Sequence, residues 1–170
     1  EAMAQKYHAV VTNPPYMSSA NMSGKLSSYT KKHYSNGKAD LYAVFIERCN
    51  SFTTLNGNYS MITQHSWMFL PSFEELRRSL LSQRLNSMVH LGTKAFEEIS
   101  GEVVQTVVFS FSKGTQGGYI SPFIRLVEYP SQDEKKQEFF KQKNAFFAKQ
   151  ETFVSIPSVT YAYWASPNTI

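Results

Sequence analysis

Two consecutive prolines, Pro14 and Pro15, stand directly behind the apolar run Tyr7-His8-Ala9-Val10-Val11-Thr12. The run has the length and composition of a short buried strand. Proline has no backbone N–H, so two in a row end a hydrogen-bonded ladder at Thr12 and restrict how the chain leaves it. Asn13-Pro14-Pro15-Tyr16 is therefore expected at the carboxyl end of the first strand, in a stiff conformation.

The rest of the chain sets the class of sheet. Met17 to Gly37 is rich in Ser, Asn, Lys and Tyr and reads as a long loop, a length that in compact domains accompanies function or disorder. Asp40 reads as the N-cap of a helix running to Phe52, with Leu41, Val44, Phe45 and Arg48 at helical spacing. Asn56-Gly57-Asn58 reads as a turn before a strand over Tyr59–Thr63. A helix is expected over Ser72–Gln83, opening on the capping-box pattern Ser72-Phe73-Glu74-Glu75 and burying Leu76, Leu80 and Leu81. Strands follow at Ser87–Leu91 and Val103–Phe111, then a turn at Gly114–Gly118. A further strand is expected at Phe123–Glu128, and a charged helix at Ser131–Ala148. Strand, helix, strand, helix and strands again is an α/β order with parallel crossovers. Such sheets bind ligands beyond the carboxyl ends of their strands, which is where Asn13–Tyr16 falls.

Composition removes several classes. With 170 residues, 42% hydrophobic and 18% charged, the chain is globular and is one ordinary domain or a piece of a larger one. No apolar stretch approaches the roughly 20 residues that span a bilayer. Glu1–Lys6 has no apolar signal core, and the single Cys49 excludes an internal disulfide or a multi-cysteine zinc site. A cytoplasmic setting is expected. The net charge is +4, and Lys25, Lys31, Lys32 and Lys38 lie in a stretch without acids, so the remainder balances to zero. Those lysines read either as a solvated loop or as the partner of a polyanion.

Asn13-Pro14-Pro15-Tyr16 suits methylation of a conjugated amine. The lone pair of an exocyclic amine on a base is delocalised into the ring, so the nitrogen is a poor nucleophile. Two acceptors, one per N–H, favour a more tetrahedral nitrogen with its lone pair aimed at a methyl donor. The Asn13 side-chain oxygen and the Pro14 carbonyl are such acceptors. The fixed φ of proline helps to lock the carbonyl in place. Tyr16 can stack on the ring, for about 1–3 kcal/mol, comparable with the cost of unstacking the base from a duplex.

The segment resembles the fourth motif of the N6-adenine DNA methyltransferases, (Asn/Asp/Ser)-Pro-Pro-(Tyr/Phe/Trp). The likeness extends through Asp40–Arg48, Met61–Phe69, Ser72–Arg77 and Leu91–Phe96. It is closest to the large methyltransferases of BREX phage-exclusion systems and the related type IIG restriction–methylation enzymes, a placement supported by Glu97–Thr106. It is specific from Tyr7 to Lys113 and weaker beyond. The resemblance implies the C-terminal half of a Rossmann-like class I domain that uses S-adenosylmethionine, its sheet mostly parallel with a terminal antiparallel strand. Residues 1–130 would be catalytic, and residues 131–170 a helical extension leading toward a target-recognition region.

Carried over residue by residue, the resemblance implies that Asn13 and Pro14 bind the adenine amine, with Pro15 completing the motif. Tyr16 would stack on the flipped base and Phe96 would cover its other face. Phe45 would pack on the adenine of the cofactor, and Lys25, Lys31, Lys32 and Lys38 would touch the phosphates of double-stranded DNA. The family's aromatic-x-Gly-x-Gly cofactor loop has no counterpart, since no Gly-x-Gly occurs. The expectation is half of a catalytic domain, inactive and weak in cofactor binding alone, and self-associating through surfaces its other half would cover. RNA-guanine or protein-glutamine methylation, and a non-catalytic interaction module, are the competing readings. His8, His33, His65 and His90 have no metal spacing, Cys49 reads as core, and Glu97, Glu98 and Glu102 as solvated surface.

Overall fold

The computed structural model describes residues 4–96, 104–114 and 117–165. Six strands form one sheet: β1 (Tyr7–Thr12), β2 (Thr53–Gln64), β3 (Arg84–Gly92), β4 (Thr106–Ser112), β5 (Ile120–Arg125) and β6 (Ala145–Lys149). Their order is β1-β2-β4-β3-β5-β6. β1 and β2 are parallel, as are β3 and β5, while β4 runs antiparallel to both its neighbours and β6 antiparallel to β5. Four strands thus share one direction, with antiparallel β6 at the edge and antiparallel β4 inserted between β2 and β3. The α/β class expected from the element order is present. The carboxyl ends of β1, β2 and β3 lie along one edge of the sheet.

Helix α2 (Leu41–Phe52) starts where Asp40 caps it, the carboxylate accepting from the Tyr42 N–H at 3.3 Å. Its buried Tyr42, Ala43, Ile46 and Cys49 pack on Tyr59, Met61, Phe109 and Phe111 from one face of the sheet. Helix α3 (Glu74–Leu80) adds Leu76 and Leu80 to that core, and residues 153–163 add Phe153, Val159, Tyr161 and Tyr163. The opposite face is less covered, and Val11 there is 80% exposed. Among the described residues no helix is long and apolar enough to cross a membrane.

Several local expectations are corrected. The Met17–Gly37 stretch contains helix α1 (Gly24–His33), capped by the Ser23 hydroxyl accepting from the Leu26 N–H at 3.3 Å. Its lack of apolar periodicity hid it, because only Thr30 is buried. Ser72 caps nothing; Pro71–Phe73 form a 3-10 turn and α3 begins at Glu74. Asn56-Gly57-Asn58 lies inside β2, as an irregularity where the pairing jumps from Tyr7↔Thr53 to Ala9↔Asn58 and Asn56 takes φ 63°. β4 begins at Thr106, and β5 lies three residues earlier than the expected Phe123–Glu128.

The charged helix α4 (Gln132–Lys141) stops well before Ala148. Gln142 adopts a left-handed φ of 52°, and Ala145–Lys149 pair with β5 instead. Phe146 and Phe147 favour an extended chain, and the open edge of β5 supplies a ladder for it. The Glu97, Glu98 and Glu102 cluster lies outside the described residues.

Candidate active site

Asn13–Tyr16 leave the carboxyl end of β1 as the prolines require. Pro14 is buried, Tyr16 half-buried, and Asn13 and Pro15 are exposed. Neither the Asn13 carboxamide nor the Pro14 carbonyl bonds to a described residue, so both acceptors remain open. Tyr16 is held by its ring, edge-on to Tyr42 at 5.9 Å and 81°, and its hydroxyl makes only a long 3.5 Å bond to the Ile62 carbonyl. Burial pushes that hydroxyl up to about 12, so it stays protonated at neutral pH. Tyr42 is in turn fixed by a 2.7 Å hydrogen bond with the Ser66 hydroxyl, beyond β2. The motif is therefore tied to α2 and to the second strand.

Residues 17–40 form an excursion closed at its neck. Asp40 accepts from the Met17 N–H at 3.0 Å as well as from Tyr42, the Leu41 N–H donates to the Met17 carbonyl at 2.9 Å, and Ser18 bridges Asp40. Burial raises the Asp40 carboxyl above its usual range, against the lowering effect of the Met17, Tyr42 and Leu41 N–H groups. On the excursion Lys25, Lys31, Lys32 and Lys38 are all exposed. Lys25, Tyr29 and Lys32 project from one side of α1, opposite buried Thr30. The Tyr29 ring lies 4.6 Å from that of His33 and 6.1 Å from that of Tyr34.

Phe96 follows the end of β3 and is half-buried. The segment before it is pinned from α4: Gln132 donates to the Ala95 carbonyl at 3.2 Å, and the Lys135 ammonium to the Leu91 and Leu126 carbonyls at 2.7 and 2.9 Å. Gly92 turns the chain there at φ 70°, and a Cβ on it would meet the Val127 backbone at 2.9 Å. β2 and β4 separate β1 from β3, so the two arms start about 14 Å apart along one edge. Phe45 is different. It is half-buried on α2 and packs against the core.

One cluster at this edge escaped the sequence. His65, the first residue beyond β2, faces His90 of β3, with Nδ1 2.8 Å from His90 Nε2. His90 Nδ1 lies 3.1 Å from the Tyr163 hydroxyl. Burial, then the neighbouring His65, Arg125 and Lys135, lowers His90 to about 3, and burial lowers His65 too. Both imidazoles are neutral at physiological pH. The available signal was position: each histidine sits at the carboxyl end of a strand.

Residues 1–96, more than half of the chain, match the Eco57I restriction-modification methylase family. The chain belongs to this family. It is also 45% identical over 172 aligned residues to the adenine-specific methyltransferase PglX of Lacticaseibacillus casei (strain Zhang), covering 98% of this chain. It is 40% identical to the adenine-specific methyltransferase BrxX of Escherichia coli O9:H4 (strain HS), over 96% of this chain. The chain spans 14% of the length of each of these relatives. Among solved structures, the fold is similar to that of the Type ISP restriction-modification enzyme LlaGI, solved with a DNA substrate mimic. The TM-score is 0.63 at 15% identity, covering 94% of this chain and 18% of that one. The EcoKI M protein of a Type I restriction enzyme gives a TM-score of 0.53 at 20% identity, over 81% of this chain and 30% of that one. These likenesses place the Eco57I-family chain in the α/β methyltransferase fold, with Asn13–Tyr16 at a strand's carboxyl end.

Proposed function

We propose that this chain supplies the target-base side of a site-specific DNA adenine N6-methyltransferase that works in a restriction or phage-defence system of the BREX kind. The observation that carries the reading is the pair of open acceptors, Asn13 Oδ1 and the Pro14 carbonyl, beside the half-buried Tyr16 ring. The names of the two curated relatives and the DNA-bound state of the LlaGI structure support it.

In this mechanism the adenine leaves the duplex and its amine donates one N–H to Asn13 and one to Pro14. That arrangement withdraws the nitrogen lone pair from the ring and directs it away from both acceptors. Pro14 and Pro15 make the acceptor geometry rigid, so little order is lost on binding. Tyr16 stacks on one face of the base and Phe96 closes on the other. S-adenosylmethionine, when bound, supplies the methyl group. No Gly-x-Gly loop exists in this sequence to hold it, so among these residues only Phe45 is assigned to it. Lys25, Lys31, Lys32 and Lys38 hold phosphates of double-stranded DNA, adding affinity without reading sequence. Residues 131–170 lead toward a target-recognition region, and the setting is cytoplasmic.

The test uses a protein of the relatives' full length and compares wild type with Asn13→Ala on duplex DNA. Wild type should form N6-methyladenine, and the variant should lose at least a hundredfold while keeping DNA affinity. Methylation of RNA or protein with none on DNA would leave the amine chemistry standing and the substrate wrong. No transfer to any acceptor would favour a non-catalytic module.

A further inference from the structure

The amine acceptors do not by themselves distinguish adenine from other bases that carry an exocyclic amine; that distinction lies along the ring edge. In the sheet order, Asn13–Tyr16 after β1 and Phe96 after β3 flank the carboxyl end of β2 and the amino end of antiparallel β4. His65 stands in that interval. Its backbone N–H donates to the Gln105 carbonyl at 2.9 Å, its ring rests edge-on against Phe69 at 5.3 Å, and its neighbour Ser66 bonds the tyrosine that supports Tyr16.

The proton pattern of the cluster follows from its ends. The Tyr163 hydroxyl lies 3.1 Å from His90 Nδ1, and the cationic Arg125 beside it favours an arrangement in which Tyr163 donates its proton to that nitrogen. Neutral His90 then carries its proton on Nε2 and donates it to His65 Nδ1. His65 must keep its own proton on Nε2. That nitrogen has no partner among the described residues and is not enclosed.

We propose that the His65 Nε2–H is a hydrogen-bond donor to a ring nitrogen of the extruded adenine, N1 or N7, and that His90 and Tyr163 are positioning residues that fix its tautomer. The proposal rests on the adenine-methylation reading. The amine is already bound by Asn13 and Pro14, and N1 and N7 are the acceptors that flank it. A donor here favours adenine over a base that presents an N–H at the same edge. The low proton affinity of both imidazoles keeps the donor single and fixed in direction.

The experiment uses the full-length protein, whose target site is first mapped from its own methylation of plasmid DNA. Single-turnover rates are then measured on duplexes with adenine, 1-deazaadenine or 7-deazaadenine at the target, for wild type, His65→Ala, His65→Gln and Tyr163→Phe. Wild type should lose about tenfold on one analogue, the factor expected for one hydrogen bond. His65→Ala should lose about tenfold on adenine and nothing further on that analogue, and His65→Gln should recover part of the loss. Tyr163→Phe, which keeps its ring stacked on Phe123 at 4.6 Å, should show the same pattern to a smaller degree. Equal losses on all three bases, or no loss, for His65→Ala with an active wild type would overturn the proposal alone. A wild type inactive on adenine would overturn it together with the reading beneath it.

Discussion

At Tyr16 the hydroxyl and the ring have separable tasks. The 3.5 Å bond to the Ile62 carbonyl is too long to matter much, whereas the ring has both its edge contact with Tyr42 and the proposed stacking. Tyr16→Phe should therefore methylate DNA at close to the wild-type rate. Tyr16→Ala should lose about 1–3 kcal/mol, or roughly five- to 150-fold in kcat/KM. A large defect in Tyr16→Phe would show that the hydroxyl matters. Arg77 makes the opposite point, since its charge is entirely structural. It is fully buried and donates to the Trp67, Leu70 and Ser158 carbonyls at 2.6 to 3.0 Å, tying α3 to the turn after β2 and to the tail. Arg77→Met should cost about 3 kcal/mol or more in urea unfolding, because it orphans these buried carbonyls. Nothing in the Glu74-Glu75-Leu76-Arg77-Arg78 pattern distinguishes Arg77 from its exposed neighbour Arg78; only the tail's return path does.

At the scale of elements, α1 and its neck carry the testable content. Lys25→Glu with Lys32→Glu should weaken binding to any duplex about equally. It should also reduce the slope of log affinity against log salt by roughly 0.9 for each lysine that neutralises a phosphate. An unchanged slope in fluorescence anisotropy would return these lysines to the solvated-surface reading. Gly37 is the tight point of the neck: a Cβ there would lie 2.6 Å from the Ala43 carbonyl group, inside the first turn of α2. Gly37→Ala should displace that turn, lower thermal stability and slow methylation, since Asp40 and Tyr42 leave register together. Asp40 and its helix were legible because a capping carboxylate and an apolar face are local signals. Strand β6 was not, since its partner is β5 and its residues also suit a helix.

For the whole molecule, pH dependence and surface coverage follow from what is buried. His90 has a depressed proton affinity when folded, about 3 against about 6.5 unfolded, so the unfolded chain binds the extra proton. Its contribution is present above about pH 6.5 and is lost as pH falls toward 3. Urea midpoints should drop across that window, and His90→Gln should flatten part of the drop. The less covered sheet face and the edges leave Val11, Leu55, Phe140 and Phe147 between 68 and 80% exposed. They lie on both edge strands, β1 and β6, and on β2 and α4, where apolar side chains are open to a second copy. The chain by itself should therefore self-associate in light scattering as its concentration rises; a constant monomeric mass would argue that these side chains are tolerated singly.

Adjacent residues carry the proposed chemistry. Two prolines behind an apolar strand place Asn13 and Tyr16 at a strand end, and the acceptor pair needs no distant partner to be recognised. The α/β order and the Asp40 cap are likewise local in origin. The tertiary structure alone decided which carboxyl ends stand side by side, because β4 enters between β2 and β3 by a pairing that no local propensity encodes. That insertion spaces Phe96 from Tyr16 and brings His65, His90 and Tyr163 into one hydrogen-bonded chain across 98 residues of sequence. Contacts between residues so far apart are selected by burial of the whole core, a cooperative property absent from any short window.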